Sequence, residues 1–240
     1  MNPFTTGYRF VLGYLETKRF TRLKDEIEAL RAQGRVEEEK ALILEGQSRW
    51  VRNTSKKLNM TFEVHGEENI PDREPFMLYA NHQGFADIPA TLWLMKDRHQ
   101  LGYIAKDEWR NYGILRDVVT STRSIFLVRG NPKEAIKALG EAKELLDQGF
   151  NLVIFPEGHR SKCHEMRDFK PGAFKFAEKA HVPILPVTLD GSYKLIEEKG
   201  TYQPTHIKIT CHPLVHIENM SKHEQKAAQA EIEATIRSAL

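Results

Sequence analysis

Two hydrophobic rhythms divide the chain. Over residues 8–32, Tyr8, Val11, Leu12, Leu15, Leu23, Ile27 and Leu30 recur at helical spacing, which predicts an amphipathic helix. A break at Gln33-Gly34-Arg35 precedes a second predicted helix over 36–58, which opens "VEEEKALILEG" and ends with the basic "RWVRNTSKK". From about residue 61 the pattern changes. "TFEVHG" alternates like a strand, and "FMLYA", "LGYIA", "SIFLV" and "NLVIF" are short apolar runs of buried-strand type. "PILPVTL" and "HIKITC" add two more.

Helical segments separate these runs. "IPATLWLMK" follows the second strand and "GAFKFAEKA" follows "NLVIF". The helix after Asn131 is punctuated at both ends, with Asn131 as cap, Pro132 at its first position and Gly149 as stop. Ser221 and Glu224 stand at capping-box spacing before an alanine-rich tail. Alternating strands and helices predict an α/β fold, a mixed and mainly parallel sheet flanked by helices. The amino-terminal helical pair is additional to it.

Composition narrows the function classes. Lys and Arg number 35 against 33 Asp and Glu, a balance that argues against a nucleic-acid binder. Two cysteines, Cys163 and Cys211, sit in no metal-like spacing and suggest no disulfide framework. No apolar stretch reaches the ~18–20 residues of a spanning helix, so a soluble or peripheral protein is expected.

The chemistry concentrates at strand exits. "NHQGFAD" places His82 and Asp87 five residues apart. On one continuous helix the two side chains would diverge by about 140°, so contact requires a turn. Gly84 supplies freedom for that turn, and Pro89 belongs near the start of the helix that follows. Asp87 would then orient one ring nitrogen and leave the other to accept a proton. The alternative is a helix cap beside a polar loop histidine. After "NLVIF" comes Pro156-Glu157-Gly158-His159-Arg160-Ser161, where Arg160 suits a phosphate and Glu157 a sugar or glycerol hydroxyl. Arg129 after "SIFLV" and Lys106 after "LGYIA" repeat a cation at a strand exit. Together these suggest a site for a small anion such as a phosphate monoester. A surface turn with solvated charges is the plainer reading of each alone.

"NHQGFAD" resembles the NHx4D motif of the glycerolipid acyltransferases. "FLVRG", "FPEGHRS" and "VPILPV" are similar to their three further blocks and stand in the family's order. The resemblance covers about residues 62–218 and is nearest to bacterial 1-acylglycerol-3-phosphate acyltransferases. It implies transfer of a fatty acyl group from acyl-CoA or acyl carrier protein to the sn-2 hydroxyl of lysophosphatidic acid, giving phosphatidic acid. His82 is implied as general base and Asp87 as its support. Arg129, Glu157, Gly158 and Arg160, with Lys106, are implied at the glycerol-phosphate end, and Val182, Pro183, Ile184 and Pro186 at an acyl-side wall. No metal and no further cofactor are expected.

Lysophosphatidic acid resides in bilayers, and family members with an amino-terminal helical anchor set the expected division. Residues 1–60 form a membrane-association segment, and 61–240 the acyltransferase domain, peripheral at the cytoplasmic face of the cell membrane. Phe4, Tyr8, Phe10, Val11, Tyr14, Leu15 and Phe20 with basic neighbours suit shallow insertion. Three other readings remain open: an acyltransferase for glycerol 3-phosphate or another lysophospholipid, an inactive lipid-binding module, and a metal hydrolase.

Overall fold

The computed structural model describes residues 3–128 and 130–240. Its centre is a seven-stranded sheet built from β1 (Met60–His65), β2 (Met77–Ala80), β3 (Leu101–Lys106), β4 (Ile125–Leu127), β5 (Asn151–Ile154), β6 (Ile184–Asp190) and β7 (Thr205–Cys211), in the order β1-β7-β6-β2-β5-β3-β4. From β6 to β4 all neighbours are parallel; β7 runs antiparallel to β6, and β1 follows β7. The mixed, mainly parallel sheet is the one the alternation predicts.

Strands β2 and β5 are buried at every position, and β6 at all but its last, which is why they read as continuous apolar runs. Successive side chains still point to opposite faces. Met77 and Tyr79 join a core with Ile43, Phe150 and Phe174, while Leu78 and Ala80 join a second with Val51, Leu94 and Leu185. The outer strands β1 and β7 keep the buried–exposed alternation of a half-covered sheet.

Helices α4 (Asp87–Met95), α6 (Pro132–Asp147), α7 (Pro171–Ala180) and α8 (Lys222–Ser238) fall where the pattern predicts them. Asn131 accepts hydrogen bonds from the amides of Lys133 and Glu134, and the Ser221–Glu224 capping box is complete. Helix α5 (Gly113–Ser121) was not read from the sequence. It is only nine residues long and carries no side-chain cap, so nothing in the sequence marks its start.

The amino-terminal region differs from the expected pair of helices. It forms α1 (Pro3–Phe20), a tight turn at Thr21–Leu23, α2 (Lys24–Ala32) and α3 (Val36–Lys57). The turn seats Phe20 and Leu23 on Gly46 of α3, where a Cβ would lie 2.8 Å from each. Nor do residues 3–60 stand apart from the sheet. Ile27 and Ile43 belong to one core and Val51 to the other. Gln47 donates to the Leu101 carbonyl at 2.6 Å and accepts from the Leu101 amide at 3.0 Å. Glu39, fully buried, receives Arg31 and both ends of the Arg123 fork. Among the described residues no helix is long and apolar enough to cross a membrane.

Candidate active site

The carboxyl ends of the parallel strands share one side of the sheet, where α/β folds hold their ligands. His82, Glu157 and Ser192 follow such ends, on β2, β5 and β6, and Lys106 is the last residue of β3. The loop after β2 is fixed by its amides. Asn81 bonds both backbone groups of Leu189, at 2.8 and 2.7 Å. Gln83 donates to the His164 carbonyl and accepts from the Gly191 amide. His82 lies between these two buried residues and is the one left partly open, with 21% of its side chain exposed.

Helix α4 begins at Asp87, so residues 81–86 are not helical and the five-residue gap closes. His82 Nδ1 lies 2.6 Å from Asp87 Oδ2. Asp87 is fully buried, and three donors surround its carboxylate: the His82 ring, the Gly84 amide at 2.8 Å, and the Ser192 hydroxyl on Oδ1. It makes no side-chain cap to α4. The imidazole stacks on Phe155, ring centres 4.1 Å apart and planes 14° apart. With Nδ1 committed to Asp87, Nε2 is the nitrogen left to exchange a proton.

Gly84 serves differently from the role the sequence suggested. Its φ lies outside the left-handed region. The requirement is close approach, because a Cβ there would come within 2.7 Å of Glu197 Oε2. Gly158, at φ +75°, does need the left-handed region, and a Cβ there would meet the Lys170 side chain at 3.2 Å.

Glu157 is also placed differently. It is buried, and each oxygen is taken by a backbone amide: Oε1 by His82 at 2.5 Å and Oε2 by Arg167 at 2.8 Å. With one backbone donor on each oxygen, the carboxylate ties the His82 loop to the loop after β5. Burial pushes its pKa up to about 7, against the lowering effect of the two amides. Two bonds continue the junction, from Ser161 N to the His82 carbonyl and from Lys162 N to the Gln83 carbonyl, at 2.7 and 3.0 Å.

Arg160 pairs through Nη1 with Glu197 Oε1 at 2.9 Å and lies over the Phe85 ring, 3.8 Å from its centre. Lys106 pairs with Glu108 at 3.3 Å. It sits two strands from β2, a lateral offset of roughly 10 Å, and has no hydrogen bond to the dyad. Arg129 lies outside the described residues. Val182, Pro183, Ile184 and Pro186 are buried at the start of β6, with Ile184 beside Met77. That position is five residues before His82, roughly 16 Å along a strand. Strand direction therefore puts this block in the core, away from the dyad.

Sequence reasoning missed Ser192, Glu197 and Phe155. Ser192 follows a strand exit, the one signal that could have raised it. Among the described residues no group of three or more His, Cys, Asp or Glu side chains is arranged to hold a metal ion.

A sequence model of the acyltransferase family matches residues 61–190, more than half of the chain, and the chain belongs to that family. Among its relatives is the chloroplastic 1-acyl-sn-glycerol-3-phosphate acyltransferase of Arabidopsis thaliana, 31% identical over 156 residues, which are 64% of this chain and 43% of that protein. The alpha 1-acyl-sn-glycerol-3-phosphate acyltransferase of Mus musculus is 32% identical over 138 residues, 57% of this chain and 48% of that one. The chain thus spans less than half the length of these relatives. The crystal structure of the 1-acyl-sn-glycerophosphate acyltransferase PlsC from Thermotoga maritima matches along nearly the whole length. Its TM-score is 0.72 at 27% identity, covering 96% of this chain and 95% of that one.

Proposed function

We propose that this protein transfers a fatty acyl group from a thioester, acyl-CoA or acyl carrier protein, to the sn-2 hydroxyl of 1-acylglycerol 3-phosphate. The observation that carries the reading is the His82 ring, held at Nδ1 by a buried carboxylate and stacked on Phe155, at the same end of the sheet as Arg160. The names of the relatives and of the solved structure supply the acceptor and the reaction.

His82 Nε2 takes the hydroxyl proton as the oxygen attacks the thioester carbonyl. The C–O bond forms, the C–S bond breaks, and the imidazolium returns its proton to the departing thiolate. Asp87 stabilises the imidazolium formed between these steps. Arg160, with Lys106 and Arg129, binds the phosphate. Glu157 and Gly158 hold the His82 loop and the Arg160 loop in register at the glycerol-phosphate end. Because a thioester is already activated, a placed base is sufficient without a covalent acyl-enzyme.

The acceptor is reached peripherally, at the cytoplasmic face of a membrane. Phe4, Tyr8, Phe10, Val11, Tyr14 and Leu15 leave α1 with an exposed apolar row, 87% exposed at Phe4 and 61% at Tyr8. The amino-terminal half of α1 lies at the dyad end of the sheet. Arg9 donates to the Lys57 carbonyl just before β1, and Thr6 accepts from Tyr202 just before β7. Both strands start at that end, being antiparallel to β6. An apolar face with basic neighbours there suits shallow insertion among anionic headgroups.

The test is an acyl-transfer assay read by mass spectrometry, with lysophosphatidic acid, glycerol 3-phosphate and other lysophospholipids offered against acyl-CoA and acyl carrier protein donors. Phosphatidic acid is the expected product. His82→Ala is expected to lose about 10²- to 10⁴-fold in rate. Near wild-type turnover by the folded variant would remove the base from His82.

A further inference from the structure

We infer that Glu197 is the residue that sets Arg160 for its phosphate ligand, acting as a positioning residue rather than a member of the core. The inference rests on the proposed function, which puts a phosphate at Arg160. Glu197 follows the short turn after β6 and lies outside the four sequence blocks. Its Oε1 accepts from Arg160 Nη1 at 2.9 Å and from the Phe85 amide at 2.8 Å. One carboxylate oxygen therefore joins the "NHQGFAD" loop to the loop that carries Arg160. The Phe85 ring beneath the guanidinium supplies a second constraint. Nε and Nη2 of Arg160 make no hydrogen bond to the described residues, which leaves an edge for an anion.

The other oxygen carries the argument further. Glu197 has a side chain only 4% exposed, and its Oε2 is buried without a hydrogen-bond partner among the described residues. A buried acceptor left unsatisfied is destabilising, so stability alone does not account for it. Its surroundings are arranged to admit it, since Gly84 leaves the space that a Cβ would take at 2.7 Å. Burial raises the pKa of this carboxyl, as expected of a charge held out of water for one partner. A fixed guanidinium loses less freedom when the phosphate arrives, and it presents one chosen edge.

The experiment compares wild type, Glu197→Ala, Glu197→Gln, Arg160→Ala and the Arg160→Ala/Glu197→Ala double variant. Each is checked for folding by circular dichroism. Turnover of lysophosphatidic acid is measured, together with calorimetric binding of glycerol 3-phosphate as a soluble probe. Glu197→Ala should raise the acceptor KM by about tenfold to a hundredfold, the scale of a lost charge-assisted hydrogen bond, with kcat nearly unchanged. Glu197→Gln keeps an oxygen for Arg160 and Phe85 and should restore most of the affinity. In the Arg160→Ala background the Glu197 substitution should add little, because neighbours acting through one contact are not additive. A fall in kcat without a KM change, or a full Glu197 effect without Arg160, would overturn the inference. If wild type binds glycerol 3-phosphate but does not acylate lysophosphatidic acid, the proposed acceptor fails while the binding series still decides the role of Glu197. If it does neither, both readings fall.

Discussion

Replacing Asp87 by Asn isolates the charge behind His82 with little change in shape. The amide oxygen takes the place of Oδ2 and still accepts from the His82 ring and the Gly84 amide. The new NH2 faces Ser192, whose hydroxyl turns to accept it and directs its proton to Gln83 Oε1, 3.4 Å away. The tautomer, the loop and the helix start are therefore kept. What is lost is a negative charge beside the imidazolium that forms during transfer. With the contact atoms 2.6 Å apart and charge centres about 4 Å apart, an effective dielectric near 20 gives about 4 kcal/mol. That corresponds to roughly a thousandfold in kcat. Acceptor KM should change little, since Arg160 and Glu197 are untouched. The assay is steady-state turnover with lysophosphatidic acid, accompanied by thermal unfolding. A folded Asp87→Asn protein retaining more than about a tenth of wild-type kcat would refute the reasoning, because a tenfold loss accounts for only about 1.4 kcal/mol.

Further outcomes follow from neighbouring residues. The Glu157 carboxyl is raised from its ordinary 4.5 to about 7, so its contribution to stability is fully present below pH 4.5 and is lost as pH rises through 7. That is about 3 kcal/mol in all. Urea unfolding of wild type and Glu157→Gln from pH 4 to 8 should show the wild type losing ground to the variant as pH rises; a flat difference would contradict the burial argument. Gly84→Ala should destabilise the fold by about 1–3 kcal/mol through overpacking and raise acceptor KM by displacing Glu197, read by thermal unfolding and kinetics together. Replacing Phe4, Tyr8 and Phe10 with Ser should reduce flotation with vesicles containing anionic lipid while leaving the unfolding midpoint nearly unchanged, since these side chains are exposed. Undiminished flotation would take the membrane role from α1.

The sheet was legible because the central strands are buried on both faces and their apolar runs have no other use. Helices with side-chain caps, such as the one after Asn131, were legible for a local reason: cap and amide are near neighbours in sequence. The His82–Asp87 contact was legible through the resemblance of its motif, since helix geometry alone says only that a contact would need a turn. Contacts formed only in the folded state were not. Ser192 lies 105 residues from Asp87, and Glu197 lies 112 from Phe85. The two backbone amides that take the Glu157 oxygens were equally hidden, because nothing local shows them. The distance of the Val182–Pro186 block from the dyad was not legible either, because a sequence does not show which end of a strand reaches the site.

The turn at Thr21–Leu23 bears on where this protein can be cut. Gln47 and Glu39 make α3 part of the sheet's own framework, and α2 fills one of its cores through Ile27. A shortened form that begins at the first strand would lack walls on both faces of the sheet. One that begins at the turn would lose only α1, a rod of about 27 Å at 1.5 Å per residue. That rod nevertheless carries buried Glu16, held by Asn53 and Lys57, and buried Phe20, packed on Gly46 of α3. A shortened form beginning at residue 21 should therefore be less stable than the full chain, and one beginning at residue 61 should not fold.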